Sequence, residues 1–590
     1  MFQMQKLILF FLFFSCYQVS FSQIAQMKSE PSGEPKDIQL YATKTTDQKE
    51  KPIPNRYKEF EGKIIRKITI ETLDPFGYSE IDSTKRPVKK ILERGNRMHI
   101  RTKKYVIRDL LIIKKNKPLD SLLVKESERL IRTQKYIRSV HTTFTLPHER
   151  SDSVDVYIRV LDSWSLIPKT AFSSSKASIE FNENNFMGIG HEFNNKYINT
   201  YSEGKNAYAL LYIVPNIKNT FIKTTLNYAV DSDHYYSKSL DIDRPFYSPF
   251  AKWAGGINFR EQFRQDTLPD SNLIYATQNF KFKSQDYWAG LAFRIFDGST
   301  EAKRVTNLIV SARFLDVKYP ESPTIEYDPI DFYSDEKFIL SGIGITSRKF
   351  VQDRYIFRNG IIEDVPIGRI YGITGGYQHK NNLNRYYVGS QVSFGDYHKW
   401  GFLSTNFEFG TFFEKSKTIQ TAFTIQANYF TKLFEFGNWK LRQFAKQEII
   451  IGINRLNSNG DNITINEGDG ISGFSSALYG TEKMALTLQT QTYSPWNLWG
   501  FRLNPYFNYA IAILGNPENG LFQSKAYSKI GIGFSFSNDA LVFSNLQISL
   551  SYYPYIPGAG HDIFKTNSFE SSDFGFQAFE LAKPRTVIYK

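Results

Sequence analysis

The sequence predicts a mainly β protein, in which a transmembrane antiparallel β-barrel follows one small α+β domain. First, apolar and polar residues alternate with period two in segments of about 10–13 residues, a pattern typical of transmembrane strands. Second, aromatic residues make up 16% of the 590 residues, and many lie near the ends of these segments. Third, no apolar stretch approaches the roughly 18–20 residues of a transmembrane helix. Together these observations exclude a helical membrane protein and a wholly disordered chain.

The N-terminal residues have the pattern of a secretory signal peptide, which we predict for residues 1–22. A short apolar run is followed by Ser20 and Ser22, small residues where a cleavage site requires them. Cys16 leaves open the alternative of a lipidated N-terminus. Residues 23–58 are polar and lack apolar periodicity, so we expect a disordered linker.

Residues 59–166 have the pattern of a small mixed domain. A strand rich in isoleucine is expected at 63–72, followed by a helix over 102–113 with apolar residues at i, i+4 spacing. Asp120 is expected to cap a second helix, and two alternating strands complete the order β-α-α-β-β. This order predicts a three-stranded sheet with two helices on one face. Its open edge can accept a strand from another chain.

Residues 167–590 are predicted to form the barrel. In residues 530–537, Ile and Phe alternate with Gly and Ser, and residues 418–429 and 546–552 alternate in a similar way. A soluble β-sandwich would also alternate, but its polar face would carry more Lys and Glu. Five strands are expected at the C-terminal end, the last at 579–589, and up to about fifteen before them. An ordinary bacterial barrel has an even number of strands.

Several segments are similar to those of a known family of outer-membrane proteins. The helix residues 126–132, followed by the Tyr-Ile pair at 136–137, resemble a POTRA domain, and residues 162–166 lead directly into the barrel. Residues 183–190 resemble an early strand segment of the family, and residues 471–474 resemble its conserved loop motif. The chain therefore resembles the BamA/TamA-type outer-membrane assembly barrels, with a POTRA domain and a bacterial surface antigen barrel, over most of its length.

This resemblance implies a barrel of 16 strands with a seam between the first and last strands. It also implies a single POTRA domain in the periplasm and localisation of the barrel in the outer membrane. The surplus of predicted strands suggests one or two extra hairpins and hence a barrel larger than 16 strands. The partners implied are outer-membrane lipids, unfolded client polypeptides, and periplasmic chaperones or accessory lipoproteins, with no nucleic acid.

The loop motif of the family contains an arginine that pairs with two acidic residues in the lumen. Matching the motif places Ser472 at the arginine position and Gln491 and Asn508 at the acidic positions. Loss of all three charged residues together is physically reasonable. Loss of the arginine alone would leave the two carboxylates without a partner in a confined space. We therefore expect a neutral cluster, and the alternative is that the matching is displaced by two residues. The candidate loop and lumen residues are Ile471, Ser472, Gly473, Phe474, Gln491 and Asn508.

A lateral seam is the second candidate site. The resemblance implies that the first strand, expected near 174–183, pairs with the last. Pro584 in the last predicted strand has no N–H for the ladder, so we expect a short pairing at which a client strand could add. The alternative is that Pro584 marks a bend, followed by a tail over 585–590. The candidate seam residues are Ser174, Ile179, Phe181, Leu581, Pro584 and Val587.

The sequence contains no enzyme signature with the required context. Residues 468–473 match G-x-G-x-x-G, but no βαβ unit surrounds them. With eight His and one Cys a metal site is not expected, and the net charge of +14 selects no partner by itself. We therefore expect no catalysis and no cofactor. The expected function is to assist insertion or translocation of client polypeptides through POTRA strand capture and the lateral seam. A passive pore, a structural complex subunit and a lipid-transport barrel remain alternatives.

Overall fold

The computed structural model describes residues 57–270, 272, 274–468, 470–498, 501–538, 540–541, 545–567 and 574–590. The predicted signal peptide and nearly all of the predicted linker lie outside the described residues. Within those residues, no helix combines the length and the apolar character needed to cross a membrane.

The small domain is built around a three-stranded sheet with the order β1–β3–β2. Strand β1 (Ile64–Leu73) runs parallel to β3 (Ser153–Asp162), and β2 (Ile137–Thr145) runs antiparallel to β3. These are the three strands expected from the sequence. The helical segments of the domain are Lys58–Phe60, which is a 3₁₀ turn, Lys90–Met98, Lys104–Arg108 and Ser121–Arg132.

The helix Ser121–Arg132 begins where the sequence predicts. Asp120 Oδ1 accepts hydrogen bonds of 3.0 and 3.4 Å from the main-chain N–H groups of the next two leucines. These are donors that the first turn of a helix leaves without partners.

The helix expected over 102–113 is shorter in the structure. The helix Lys90–Met98 was not predicted. It buries no side chain, so its formation is not marked by core-facing spacing in the sequence.

The remaining strands form an antiparallel barrel in which strands that are successive in the chain are neighbours. Its first strands are β4 (Leu166–Phe172), β5 (Ala177–Phe186), β6 (His191–Thr200), β7 (Lys205–Val214), β8 (Lys223–Val230), β9 (Tyr236–Arg244), β10 (Trp253–Pro269) and β11 (Tyr275–Arg294). The middle strands are β12 (Thr306–Glu321), β13 (Glu336–Arg354), β14 (Ile362–Lys380), β15 (Leu383–His398), β16 (Gly401–Glu414), β17 (Lys417–Thr431), β18 (Phe434–Phe436) and β19 (Trp439–Ile453). The last are β20 (Glu482–Tyr493), β21 (Asn497–Leu498), β22 (Phe501–Gly515), β23 (Ala526–Ser537), β24 (Asn545–Ile556) and β25 (Gly560–Asn567). Short helical turns lie between strands at Glu301–Arg304, Asn459–Asp461 and Gly520–Gln523.

The number of wall strands exceeds the 16 implied by the resemblance. Of the 22 strand segments in the ring, β18 and β21 are short extensions, because β17 pairs directly with β19, and β20 with β22. The described residues therefore contribute 20 full strands to the wall, which equals 16 strands and two extra hairpins. The strand order is circular, with β25 followed by β4. Between those two strands, the described residues define no residue-by-residue register.

The predicted period-two pattern is confirmed. On β13, Ile339, Ile343 and Ile345 are 53%, 51% and 40% exposed on the outer face of the barrel, whereas Leu340 and Arg348 are buried on the inner face. Membrane barrels place apolar residues outside and polar residues inside in this alternating way. The outer surface of the wall is thus apolar, and the inner surface carries polar and charged groups.

The prediction of a final strand at 579–589 is wrong. Residues 574–590 contain no strand and run through the barrel interior. The fifth strand after the motif loop is β25. The barrel also begins one strand earlier than expected, at β4, so the predicted first strand near 174–183 is mostly β5. The error has a physical reason: apolar side chains of 579–589 are buried against the inner wall, and buried strands show a similar pattern in sequence.

Candidate functional site

The interior of the barrel holds residues 574–590, which we call the lumenal segment. The end of the barrel that carries the small domain is the domain-side rim, and the opposite end is the distal rim. Phe574 packs against Phe444 toward the domain-side rim, with ring centroids 5.4 Å apart. The main-chain oxygen of Lys590 accepts a hydrogen bond of 2.5 Å from Lys483, near the distal rim. The segment therefore passes through the lumen from one side to the other.

Charged side chains of the lumenal segment pair with buried charges of the wall. The Glu580 carboxylate lies 2.6 Å from the guanidinium of Arg348 on β13. The Lys583 ammonium lies 2.5 Å from the carboxylate of Asp286 on β11. Because a buried charge is strongly destabilising without a partner, these pairs hold the segment to two separate parts of the wall.

Arg585 makes the most extensive ionic contact of the segment. Its Nη1 and Nη2 donate to the two carboxylate oxygens of Glu408 on β16, at 2.9 and 2.6 Å. The buried Glu408 carboxylate also accepts a hydrogen bond of 2.9 Å from Asn406. A planar guanidinium matches a carboxylate in this two-bond geometry, so the contact fixes both the position and the orientation of the segment.

Side chains of the wall also bind main-chain groups of the lumenal segment. Thr346 Oγ1 donates to the main-chain oxygen of Phe579 at 2.8 Å, and the N–H of Val587 donates to the hydroxyl of Tyr387 at 2.9 Å. Buried main-chain polar groups need such partners. Since the wall side chains provide them here, the segment lies in the lumen without joining the sheet.

Inward-facing glycines provide the space for apolar side chains of the segment. A Cβ atom on Gly395 would lie 2.1 Å from the Phe579 ring, and one on Gly344 would lie 2.5 Å from Leu581. Non-bonded carbon atoms do not approach so closely, so larger residues here would displace the segment. No local signal predicted these contacts, because they join residues far apart in the chain. Further close approaches are Gly372 to Leu581, Gly410 to Val587 and Gly452 to Tyr589.

A cavity of about 710 Å³ lies beside the distal part of the lumenal segment. Residues 585–590 line one side of it, and strands from β12 to β17 line the other. Toward the domain-side rim, by contrast, Phe574 belongs to a packed cluster with Phe402, Phe430 and Phe444. The distal part of the lumenal segment thus lies beside open space, whereas Phe574 at its other end is closely packed.

The loop with the predicted motif, residues 463–480, lies against the inner wall near the distal rim. Ile471 and Phe474 are buried against alanines of β22 and against Tyr553 of β24. The Tyr553 hydroxyl donates to the main-chain oxygen of Ser472 at 2.7 Å, and a lysine of β25 donates to that of Gly473 at 2.9 Å. The motif residues are therefore fixed to the wall mainly through their main chain and their apolar side chains.

The predicted neutral cluster of Ser472, Gln491 and Asn508 is not formed. Asn508 lies opposite Gln489 in the sheet and donates to its side-chain oxygen at 3.4 Å, and Gln489 donates to Gln491 at 3.3 Å. Among the described hydrogen bonds, none joins Ser472 to either amide. The motif matching identified two inward-facing residues of the lumen correctly, but it placed the loop residue beside the wrong partners.

Two buried lysines were missed by the sequence reasoning. Lys483 and Lys529 are 0% and 1% exposed on the inner wall. Lys483 pairs with Glu448 at 2.9 Å, in addition to its contact with the lumenal segment. In the alternating segment 530–537 the odd-numbered residues face the lumen. Lys529 is also odd-numbered, so the alternation in the sequence indicated that this lysine faces inward.

The helix Ser121–Arg132 connects the small domain to the domain-side rim. Arg132 makes two hydrogen bonds of 2.8 Å to the carboxylate of Asp364, near the start of β14. At the other end of the helix, the capping carboxylate of Asp120 lies 2.5 Å from the guanidinium of Arg304. Both ends of this helix are therefore bound to turns or strand ends of the barrel.

The predicted early-strand motif at residues 183–190 makes a second contact with the small domain. The Asn185 amide donates to the hydroxyl of Thr102 at 3.0 Å, and the N–H of Lys103 donates to the main-chain oxygen of Gly188 at 2.9 Å. Gly188 has a φ of +72°, and a Cβ there would lie 2.4 Å from a main-chain oxygen of the small domain. The motif therefore requires glycine for close docking as well as for its turn.

Asp162 stabilises the link between β3 and the barrel. Its Oδ2 accepts a hydrogen bond of 2.8 Å from the N–H of Thr102 and lies 3.1 Å from Nε2 of His99. Burial raises the pKa of this carboxyl above its ordinary value, in opposition to those hydrogen bonds.

Across the part of the chain that the structure describes, no group of three or more His, Cys, Asp or Glu is arranged to hold a metal ion.

The structure separates the two sets of predicted seam residues. Ser174 lies in the turn before β5, and Ile179 and Phe181 are 56% and 41% exposed on the outer face of β5. The other set lies in the lumen instead of in a strand: Leu581, Pro584 and Val587. The predicted pairing between these sets is wrong, and the strands that meet in the circular order are β4 and β25.

No protein-family profile matches this chain, and no curated protein sequence matches it. Solved structures do resemble it over most of its length. BamA from Haemophilus ducreyi lacking POTRA domains 1–3 is 10% identical, with 86% of this chain and 84% of that chain covered and a TM-score of 0.32. CdiB from Escherichia coli is 8% identical, with 86% and 76% covered and a TM-score of 0.39. CdiB from Acinetobacter baumannii is 8% identical, with 94% and 96% covered and a TM-score of 0.34.

Proposed function

We propose that this protein is an outer-membrane barrel that assists the insertion or translocation of client polypeptides. The observation that carries the proposal is the lumenal segment, because it shows that the interior accommodates a polypeptide that runs between the two rims. The wall binds this segment through charged, polar and apolar contacts along its length. An interior with these contacts is suited to bind a polypeptide.

The outer surface of the barrel supports the membrane location. Large apolar side chains are exposed on strands all around the ring, for example Phe259 at 41%, Ile373 at 61% and Ile532 at 59%. Contiguous exposed apolar surface on this scale is unfavourable in water, whereas lipid covers it in a membrane barrel. We propose that the small domain is a POTRA domain that lies in the periplasm at the domain-side rim.

The sheet of the small domain supports a role in client capture. The outer edge of β1 already bonds to main-chain groups of residues 116–119. Among the described strands β2 pairs only with β3, so β2 offers an edge with main-chain groups available for an added strand. Strand β3 continues through Ser163 and Trp164 into β4. The N–H of Trp164 donates to the main-chain oxygen of Ala540 at 2.7 Å, in the turn region between β23 and β24. A strand added to this sheet would therefore be held beside the place where β4 enters the barrel.

Assisted folding in liposomes tests this proposal. An unfolded outer-membrane barrel protein is added to liposomes that contain the full chain, and its folding is followed by heat-modifiable mobility. Thr143 lies exposed on β2. Thr143→Pro removes a main-chain donor from this edge strand, and Thr143→Val is the matched control. We expect acceleration by the wild type and the valine variant and loss of acceleration by the proline variant. Both variants are checked for a protease-resistant small domain.

The passive pore is the alternative that the filled lumen disfavours. An open pore requires a continuous water path, and the lumenal segment together with the aromatic cluster around Phe574 narrows the lumen toward the domain-side rim. A wild-type protein that conducts ions steadily and has no effect on client folding would support the pore and contradict our proposal.

A further inference from the structure

We infer that the lumenal segment is a displaceable plug, and that the lumen it occupies is a binding groove for polypeptide segments of the same chemistry. That chemistry is a run of aromatic and aliphatic residues that contains two basic residues two positions apart. The inference rests on the proposed function, because it treats the lumen as a path for polypeptides. It adds that the lumenal segment is a ligand that already occupies this path and keeps it closed.

The wall does not depend on the segment for its strand pairing. Neighbouring wall strands from β4 through β25 have defined registers, and none of these registers includes a residue of 574–590. The segment is bound by side chains of the wall, such as Thr346 and Tyr387, and not by a β ladder. It can therefore leave the lumen without breaking any pairing between wall strands.

The groove is specific in shape. Gly344 on β13 and Gly372 on β14 both face Leu581, and Gly395 on β15 faces Phe579. Three adjacent strands thus leave out side chains where the segment inserts its own. A segment that merely rested in a wide lumen would not need such close matching, so the wall is built to bind an apolar residue at each of these points.

The groove is also specific in charge. Arg585 is the cation that the described ion pairs give to the buried Glu408. Asp286 pairs with Lys583 and also with Arg313 of the wall. Removal of the segment would therefore leave the Glu408 carboxylate without its cation, which is unfavourable for a buried charge. An emptied groove attracts a basic residue to this position, and this determines the charge that we assign to the ligand.

Cleavage of the folded protein tests both parts of the inference. A protease site is inserted between residues 567 and 574 of the full chain, the protein is reconstituted in planar bilayers, and the site is cut after folding. We expect low ion conductance before cleavage and at least a tenfold increase after the segment is washed out. A synthetic peptide of residues 574–590 should then restore the low conductance. A peptide with Lys583→Glu and Arg585→Glu should not.

A charge exchange provides the matched control. Glu408→Arg in the cleaved protein should abolish block by the wild-type peptide and permit block by the Arg585→Glu peptide. If conductance is the same before and after release of the segment, the inference that the segment plugs the lumen is wrong. If conductance increases after cleavage but neither the wild-type peptide nor the doubly substituted peptide reduces it, the inference that the lumen is a specific binding groove is wrong. No client protein is present in these measurements, so a plug that behaves as expected in a protein without effect on client folding would contradict the proposed function alone.

Discussion

The contact between Arg132 and Asp364 should determine how firmly the small domain is docked on the barrel. Their side chains are 7% and 10% exposed and share two hydrogen bonds of 2.8 Å. Removing one partner of a buried ion pair costs about 3–5 kcal/mol, because the other charge is left unpaired. Since 1.36 kcal/mol corresponds to a tenfold change, Arg132→Met should raise the undocked population at least about a hundredfold.

The rate of thiol alkylation at a cysteine placed in the interface measures this population. Thr102 is 1% exposed and contacts Asn185 of the barrel, so a Thr102→Cys reporter is protected while the domain is docked. Its labelling rate should increase in proportion to the undocked fraction. The reporter is introduced with Cys16 replaced, so that only one thiol is present.

Two comparisons make this prediction refutable. Lys135→Met removes an exposed contact of the same interface, in which Lys135 is 59% exposed and lies 2.8 Å from Glu192. It should cost less than about 1 kcal/mol. The double variant Arg132→Met/Asp364→Leu leaves no unpaired carboxylate on the barrel side of the contact, while Glu128, which lies 3.5 Å from Arg132, retains a hydrogen bond from Tyr57. It should therefore recover part of the loss. If Arg132→Met has no larger effect than Lys135→Met, or if the two changes of the double variant are simply additive, the ion pair does not hold the domain.

Three further predictions follow from the described contacts. Because burial raises the pKa of Asp162, its contribution to stability is present below its ordinary pKa of 3.8 and is lost as the pH rises through the raised value. Asp162→Asn should therefore remove this pH dependence in thermal melts. Gly395→Val should weaken retention of the cleaved lumenal segment, whereas Gly375→Val, where a new Cβ would have no neighbour closer than 3.9 Å, should not. Ser472→Arg should reduce heat-modifiable stability, and adding Gln491→Glu and Asn508→Asp should not rescue it. Rescue would show that the three side chains do meet.

Local signals in the sequence were sufficient for much of the fold. The alternation in residues 530–537 identified a wall strand, because apolar residues at every second position mark the face that contacts lipid. Asp120 was recognisable as a helix cap because its partners are the next residues in the chain. The helix Lys90–Met98 has no buried side chain, and so it lacked the core-facing pattern on which the prediction of helices depended.

The candidate site depends on contacts between distant parts of the chain. Glu408 binds a residue 177 positions away, and Thr346 binds one 233 positions away. The residues of one strand do not indicate which inward position will meet which residue of the lumenal segment. The same limit explains the wrong prediction for Ser472, because Asn508 lies opposite Gln489, which in turn contacts Gln491. A displacement of two residues preserves the face of a strand but changes every contact.

The sequence of residues 579–589 nevertheless contains an argument against a wall strand. If the odd-numbered residues faced lipid, Lys583 and Arg585 would lie on the outer surface, where a basic residue costs about 2–4 kcal/mol at the membrane midplane. If the even-numbered residues faced lipid, Glu580 would lie there, and Pro584 would still remove a ladder hydrogen bond. Neither parity gives the uniformly apolar face found in residues 530–537. A segment with charges on both faces is better satisfied in a lumen whose wall supplies the opposite charges, and Glu408 and Arg348 supply them.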